Sequence, residues 1–157
     1  MNFWAIETPI GWAELFGDTN GLSAIKIVDE QPEISGSIPE SLIEVSIQLK
    51  DYFSNNRTSF DLSINPDGTA FEKRVWDELS KIPYGKTLSY LELSKKLGDP
   101  KAIRAVARAN GKNPLWIVIP CHRVIGSDGS LTGYAGGLHR KEWLLRHEGA
   151  IRQQSLF

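Results

Sequence analysis

Apolar positions in the first thirty residues fall into three short stretches, FWAIETPIG, WAELFGDTNG and LSAIKIVDE, broken at Pro9-Ile10-Gly11 and Asp18-Thr19-Asn20-Gly21. Spacers of that composition mark hairpin turns, so the pattern predicts three strands. Residues 31–39 (QPEISGSIP) read as loop. From Glu40 the apolar residues Leu42, Val45, Leu49, Tyr52 and Phe53 recur at helical spacing, and Asn55-Asn56 ends the stripe. The segment 57–67 is extended or irregular, with Phe60, Leu62 and Ile64 alternating as in a strand. Pro66-Asp67-Gly68 marks the boundary of an N-terminal α/β subdomain, residues 1–67.

Beyond that boundary the period becomes helical. Thr69-Ala70-Phe71-Glu72 is a capping box leading into Phe71, Val75, Leu79 and Ile82 on one face. A second capping box, Ser89-Tyr90-Leu91-Glu92, opens a helix that Gly98 stops. Asp99-Pro100 then supplies an N-cap and a proline at the first helical position for a third helix, running to about Asn110-Gly111. Two helices joined across Leu97-Gly98-Asp99 fit a helix-turn-helix, with residues 100–110 as the recognition helix. Trp116-Ile117-Val118-Ile119 reads as a short buried run and residues 126–137 as a Gly-rich loop. Leu138–His147 is a last helix closed by Gly149. The expected fold class is α+β: a small sheet-and-helix subdomain, a mainly helical domain over 68–150, and a tail, 151–157.

Composition narrows the class. With 41% hydrophobic and 24% charged residues, the 157-residue chain is an ordinary globular sequence. Its lone cysteine cannot form an internal disulfide, and the start MNFWAIETPIG lacks a basic segment followed by an apolar run. A monomer in a reducing, cytoplasmic setting, away from membranes, is the expectation. The net charge of −1 conceals a segregation: residues 1–70 carry three basic and eleven acidic side chains, whereas residues 71–157 carry fifteen and eight. The second part therefore has a net +7 and a field suited to a polyanion.

Chemistry concentrates in that second part. On PKAIRAVARAN, Ile103, Val106 and Ala107 can face inward, while Lys101, Arg104, Ala105 and Arg108 share the outer side. Small residues let a helix approach a groove closely, and arginines pair with phosphates or replace an extruded base. Downstream, Ile119-Pro120-Cys121-His122-Arg123-Val124 sets a thiol beside an imidazole. A thiol is a good nucleophile only as thiolate, and an imidazole held by a carboxylate can take its proton. Asp128, Glu142 and Glu148 are the candidate carboxylates. Glu148 lies at the end of the last helix, against the helix dipole, which points to a tertiary role. Residues alone leave several functions open: a DNA-binding regulator or lesion sensor, a Cys-His-Glu hydrolase, or a group transfer to Cys121; a packing cysteine beside a chance histidine is the structural alternative.

IPCHRVIG, with LSYLELSKKLGDPKAIRAVARANGKNP upstream and TGYAGGLHRKEWLLRHEG downstream, resembles the O6-alkylguanine-DNA alkyltransferases of bacterial type. The strongest likeness spans about residues 68–150. It implies direct, single-turnover repair of double-stranded DNA, in which an alkyl group leaves O6-alkylguanine (or O4-alkylthymine) for Cys121 after the base is flipped out. It implies that His122 takes the Cys121 proton through a water, that Glu148 orients His122, and that Asn113 braces the turn beneath them. Tyr90 is implied to bond and protonate the flipped guanine, and Arg104 to fill the gap left in the duplex, with Lys101, Ala105 and Arg108 as further DNA contacts. Backbone groups of Cys121, Val124 and Ala135, with Tyr134 nearby, line the implied base pocket. No cofactor and no metal is implied. Cys121 is the only cysteine, so the N-terminal cysteine zinc site of some relatives is absent, and Ala135 stands where some have serine.

The tail carries a separate signal. Gln153-Gln154-Ser155-Leu156-Phe157 resembles the peptide by which bacterial repair proteins grip the sliding clamp, departing from it at Gln154, where leucine is usual. Packing of Leu156 and Phe157 onto the protein's own surface is the alternative.

Overall fold

The computed structural model describes residues 1–151 and divides them into two compact units. The first comprises Met1–Asp67 with Pro114–Val118. In it, β1 (Asn2–Thr8), β2 (Gly11–Asp18) and β3 (Gly21–Val28) form an antiparallel meander in sequence order, turning at the two expected spacers. Gly11 and Gly21 enter their strands at φ 127° and 128°, conformations that side-chain-bearing residues rarely adopt. Helix α1 (Glu40–Phe53) covers the sheet with Leu42, Val45, Leu49 and Tyr52 buried on one stripe.

The segment 57–67 is extended but does not become a strand. Among the described residues it makes one ladder contact, a bridge of Ile64 to Leu22; Asp61 is held instead by the buried amide of Gln48, which accepts from Asp61 N and donates to Asp61 O, each at 2.9 Å. Pro114–Val118 also departs from expectation, grouping with the first unit rather than with the segment 68–150 around it. Ile25 N donates to Pro114 O at 2.8 Å, and Leu115, fully buried, bridges Ile25 in parallel. Within the anticipated buried run, Ile117 and Ile119 are buried, whereas Trp116 and Val118 are only half-buried.

The second unit runs over Gly68–Asn113 and resumes at Ile119. Its helices are α2 (Ala70–Leu79), α3 (Tyr90–Lys96), α4 (Ile103–Gly111) and α5 (Leu138–His147). Both capping boxes form: Thr69 with Glu72, and Ser89 with Glu92, each exchanging backbone N–H groups for side-chain oxygens. Trp76 of α2 donates its indole N–H to Ala109 O of α4 at 2.9 Å, tying the two helices together in the core. Two features differ from the sequence reading. Pro100–Ala102 is a 3₁₀ turn capped by Asp99, so α4 begins only at Ile103. The buried face of α4 is Val106, Ala109 and Asn110, while Ile103 and Ala107 are half-buried. Two-residue strands, β4 (Leu88–Ser89) and β5 (Val124–Ile125), pair in parallel and fix the start of α3 against the segment after Cys121. No helix among the described residues is long and apolar enough to cross a membrane.

Candidate active site

Pro120 leads into a 3₁₀ turn, Cys121–Arg123, whose three successive side chains are all buried. Asn113 supports this turn: its Nδ2 donates to Ile119 O at 2.7 Å, and Cys121 N donates to the same carbonyl at 2.8 Å. Burial pushes the Cys121 thiol up to about 11, although hydrogen bonding with Asn113 and the nearby Lys141 charge pull the other way. At neutral pH the thiol is therefore protonated and needs a base.

The neighbouring side chain can be that base. His122 is wholly buried, and its Nε2 lies 2.8 Å from Glu148 Oε2. Desolvation lowers its pKa, outweighing the carboxylate's pull, so the ring is neutral. With Glu148 ionised, Nε2 carries the ring proton and Nδ1 keeps a free lone pair. That Nδ1 is buried and has no hydrogen-bond partner among the described residues.

Glu148, the C-cap residue of α5, is held from two sides. Arg123 clasps it through Nε (2.7 Å) and Nη2 (3.0 Å), and its third nitrogen, Nη1, donates to Ile82 O at 2.7 Å. Burial alone would raise the carboxyl's pKa, but the hydrogen bonds from His122 and Arg123 prevail and hold it well below the usual carboxylate range. Lys141 of α5, also wholly buried, donates to Val124 O at 2.6 Å and to Thr132 O at 2.8 Å. Burial draws its ammonium down to about 8.

Beside this network opens a cavity of about 620 Å³ lined by Tyr90, Arg104, Asn110, Tyr134 and Ala135 among others, a size suited to a small organic ligand. Tyr90, the first residue of α3, donates its hydroxyl to Thr132 O at 3.1 Å. Burial raises its phenol pKa, with hydrogen bonding to Thr132 the main opposing influence.

A family model described as the DNA-binding domain of 6-O-methylguanine DNA methyltransferase matches residues 70–150. Over 157 aligned residues, covering 96% of this chain and 99% of the relative, the sequence is 45% identical to the methylated-DNA–protein-cysteine methyltransferase of Methanosarcina acetivorans. The chain belongs to this methyltransferase family. The Methanosarcina barkeri methyltransferase is 47% identical, with 94% of this chain and 97% of the relative covered. Among solved structures, the O6-methylguanine methyltransferase of Mycobacterium tuberculosis superposes with a TM-score of 0.84 at 39% identity, covering 99% of this chain and 96% of that one. The same organism's protein in complex with DNA gives 0.85 at 41% identity, covering 94% and 93%.

In this methyltransferase, Cys121, His122, Glu148 and Asn113 meet around the Cys121 turn, while Tyr90, Arg104, Tyr134 and Ala135 share the cavity wall. Val124 contributes a carbonyl, held by Lys141. Lys101 and Arg108 are exposed and Ala105 half-buried, and none of the three lines the cavity. Sequence reasoning assigned no part to Arg123, Lys141 or Asn110. Arg123 stood within the motif that drew attention to Cys121; Lys141 and Asn110 gave no signal beyond their places in two helices.

Proposed function

We propose that the protein repairs DNA directly, moving an alkyl group from O6 of guanine to Sγ of Cys121 once per molecule. The observation that carries this reading is the buried, neutral His122, whose Nε2 is fixed by Glu148 and whose Nδ1 is left to accept a proton beside the chain's single cysteine. In the step, the thiol proton passes to Nδ1, directly or through a water. The Sγ–carbon bond forms as the carbon–O6 bond breaks, and Tyr90 gives its phenolic proton to the base so that it leaves as neutral guanine. Glu148 keeps His122 in the correct tautomer and stabilises the imidazolium that forms. The product is a thioether, which no group here can hydrolyse, so the molecule is spent.

The substrate base must leave the duplex stack to enter the cavity. We propose that α3 and α4 act as the helix-turn-helix that docks on double-stranded DNA, with Lys101, Ala105 and Arg108 at the backbone. Arg104, exposed yet bordering the cavity, would enter the gap left by the base. The mycobacterial relative solved in complex with DNA supports the same partner. A reduced Cys121 is needed throughout, which favours the cytoplasm.

Incubation with an excess of duplex carrying O6-methylguanine tests the proposal. Expected are one methyl group gained on Cys121, one guanine restored per protein, and no further reaction. An unmodified Cys121, or continued turnover, would refute it. The tail Gln153–Phe157 lies outside the described residues; its sequence supports a separate proposal, that it grips a bacterial sliding clamp. Deleting residues 153–157 is then expected to eliminate clamp binding while repair of a short oligonucleotide persists.

A further inference from the structure

His122 and Arg123 meet on one carboxylate oxygen. Oε2 of Glu148 lies 2.8 Å from His122 Nε2 and accepts from Arg123 Nη2 at 3.0 Å, while Oε1 accepts from Arg123 Nε at 2.7 Å. The guanidinium is also fixed from behind: Nη1 donates to Ile82 O at 2.7 Å, and its carbon stands 5.8 Å from the centre of the Tyr84 ring. The side chains of His122 and Glu148 are fully buried and that of Arg123 is nearly so, which leaves water little part in balancing their charges. Arginine stays protonated throughout the accessible pH range. Glu148 is ionised, so the trio is neutral only while the imidazole is uncharged. A proton on His122 would leave one buried positive charge in excess, which is costly. The surroundings add to that bias. Lys141 of α5 brings a second cation, Cys121 is a neutral thiol, and the residues that α2 buries, Val75, Trp76 and Leu79, are uncharged. Burial does most to keep the His122 ring neutral, and the Arg123 and Lys141 charges act in the same direction.

We infer that Arg123 is a positioning residue for the transfer: by balancing the charge of Glu148, it keeps His122 an empty proton acceptor at neutral pH. The inference rests on the repair reading above and says what sets the basicity of its proton acceptor. Glu148 alone would do the opposite. A buried carboxylate facing only an imidazole carries an unbalanced negative charge, and the pair would take up a proton from water before the thiol offered its own. Such a histidine is already full when the substrate arrives. With Arg123 in place the carboxylate still orients the ring, and the ring gains its proton as a thiolate forms beside it. The positive charge on His122 is then offset by the negative charge on Sγ, so the site stays balanced while the sulfur attacks. Arg123 itself neither gives nor takes a proton.

The test follows single-turnover transfer from O6-methylguanine duplex between pH 6 and pH 9 in the native protein, Arg123→Gln and Arg123→Lys. Glutamine removes the cation; lysine keeps it but cannot grip both oxygens. Both variants are expected to be slower than the native protein. In Arg123→Gln the acid limb of the profile should move up by about one to two pH units, so that much of the rate lost at pH 7 returns at pH 9. In Arg123→Lys the limb should stay close to the native one. A glutamine profile that falls equally at every pH, or a lysine profile displaced as far as the glutamine one, would overturn the inference and leave Arg123 a packing residue. Titration of the His122 ring by nuclear magnetic resonance needs neither variant nor substrate. The native ring should still be neutral at the ordinary imidazole value of 6.5; a ring already protonated at pH 7 would overturn the inference whether or not the variants fold. A native protein that transfers no methyl group would sink the repair reading, while the ring titration would still decide the part of Arg123.

Discussion

Glu148 must satisfy an imidazole N–H and a two-pronged guanidinium from inside the protein, and both of its oxygens are used. Replacing it by glutamine supplies an N–H where His122 and Arg123 both need acceptors. Glu148→Gln is therefore expected to slow single-turnover transfer by roughly 100-fold, the scale of a positioned proton acceptor; an unchanged rate would reject the assignment. The same group sets a pH dependence. Folding depresses the pKa of both Glu148 and His122, so as pH falls the unfolded chain takes up their protons first. Their contribution to stability is complete above the ordinary imidazole value of 6.5 and is lost as pH falls, through His122 first and then through Glu148 in the carboxylate range. Urea midpoints measured from pH 8 down to pH 4 should decline progressively, and Glu148→Gln should flatten the lower part of that decline. Cys121, His122 and Glu148, the candidates the structure gathers around one turn, stood out in the sequence because a thiol, an imidazole and a misplaced carboxylate each carry a chemical signature. Arg123 did not, because a buried arginine is defined by its partners, and these lie 25 and 41 residues away in the chain.

At the scale of elements, the capping box of α3 carries Tyr90, a residue of the proposed chemistry, at the first helical position. Ser89 caps the helix whose first residue is Tyr90, so the serine hydroxyl helps aim the phenol into the cavity. Ser89→Ala is expected to cost about 1 kcal/mol of stability, read in urea, and to lower transfer more than Thr69→Ala, which removes the equivalent cap from α2. Equal transfer by the two variants would detach the cap from the chemistry. Helices with side-chain caps and strands bounded by the Pro9-Ile10-Gly11 and Asp18-Thr19-Asn20-Gly21 spacers could be read directly, since those signals are local. The short pairing of β4 with β5 could not: two residues are too few to show a period, and their partners are 36 residues apart. Pro114–Val118 was misplaced for the same reason, because an apolar run reports that it is buried and not which sheet buries it. The early break in α4 follows from Pro100, whose preceding residue Asp99 is held extended while the first turn tightens to 3₁₀.

For the whole molecule, charge is divided along the sequence, with −8 over residues 1–70 and +7 over residues 71–157. Binding to undamaged duplex should weaken steeply as salt rises, because cationic contacts with phosphates release counterions; a flat response would argue against groove docking. Arg104→Ala should reduce repair in duplex while sparing reaction with free O6-alkylated guanine base, since only a duplex leaves a gap to be filled. Equal losses on both substrates would mean that Arg104 shapes the cavity itself.

Lys141 and Glu148 both come from α5 and its cap, the last element of the described chain, while the helices proposed to meet DNA come well before it. A nascent polypeptide therefore completes α3 and α4 before the carboxylate that neutralises Arg123 has been made. Until then His122 and Arg123 have no such partner, and a buried unpaired charge is costly to fold around. A chain that stops short of α5 is thus expected to be handed to proteases rather than to occupy a lesion without repairing it. The carboxylate that the proposed chemistry needs is thus also one that the fold needs, because the same carboxyl group that holds His122 neutralises Arg123.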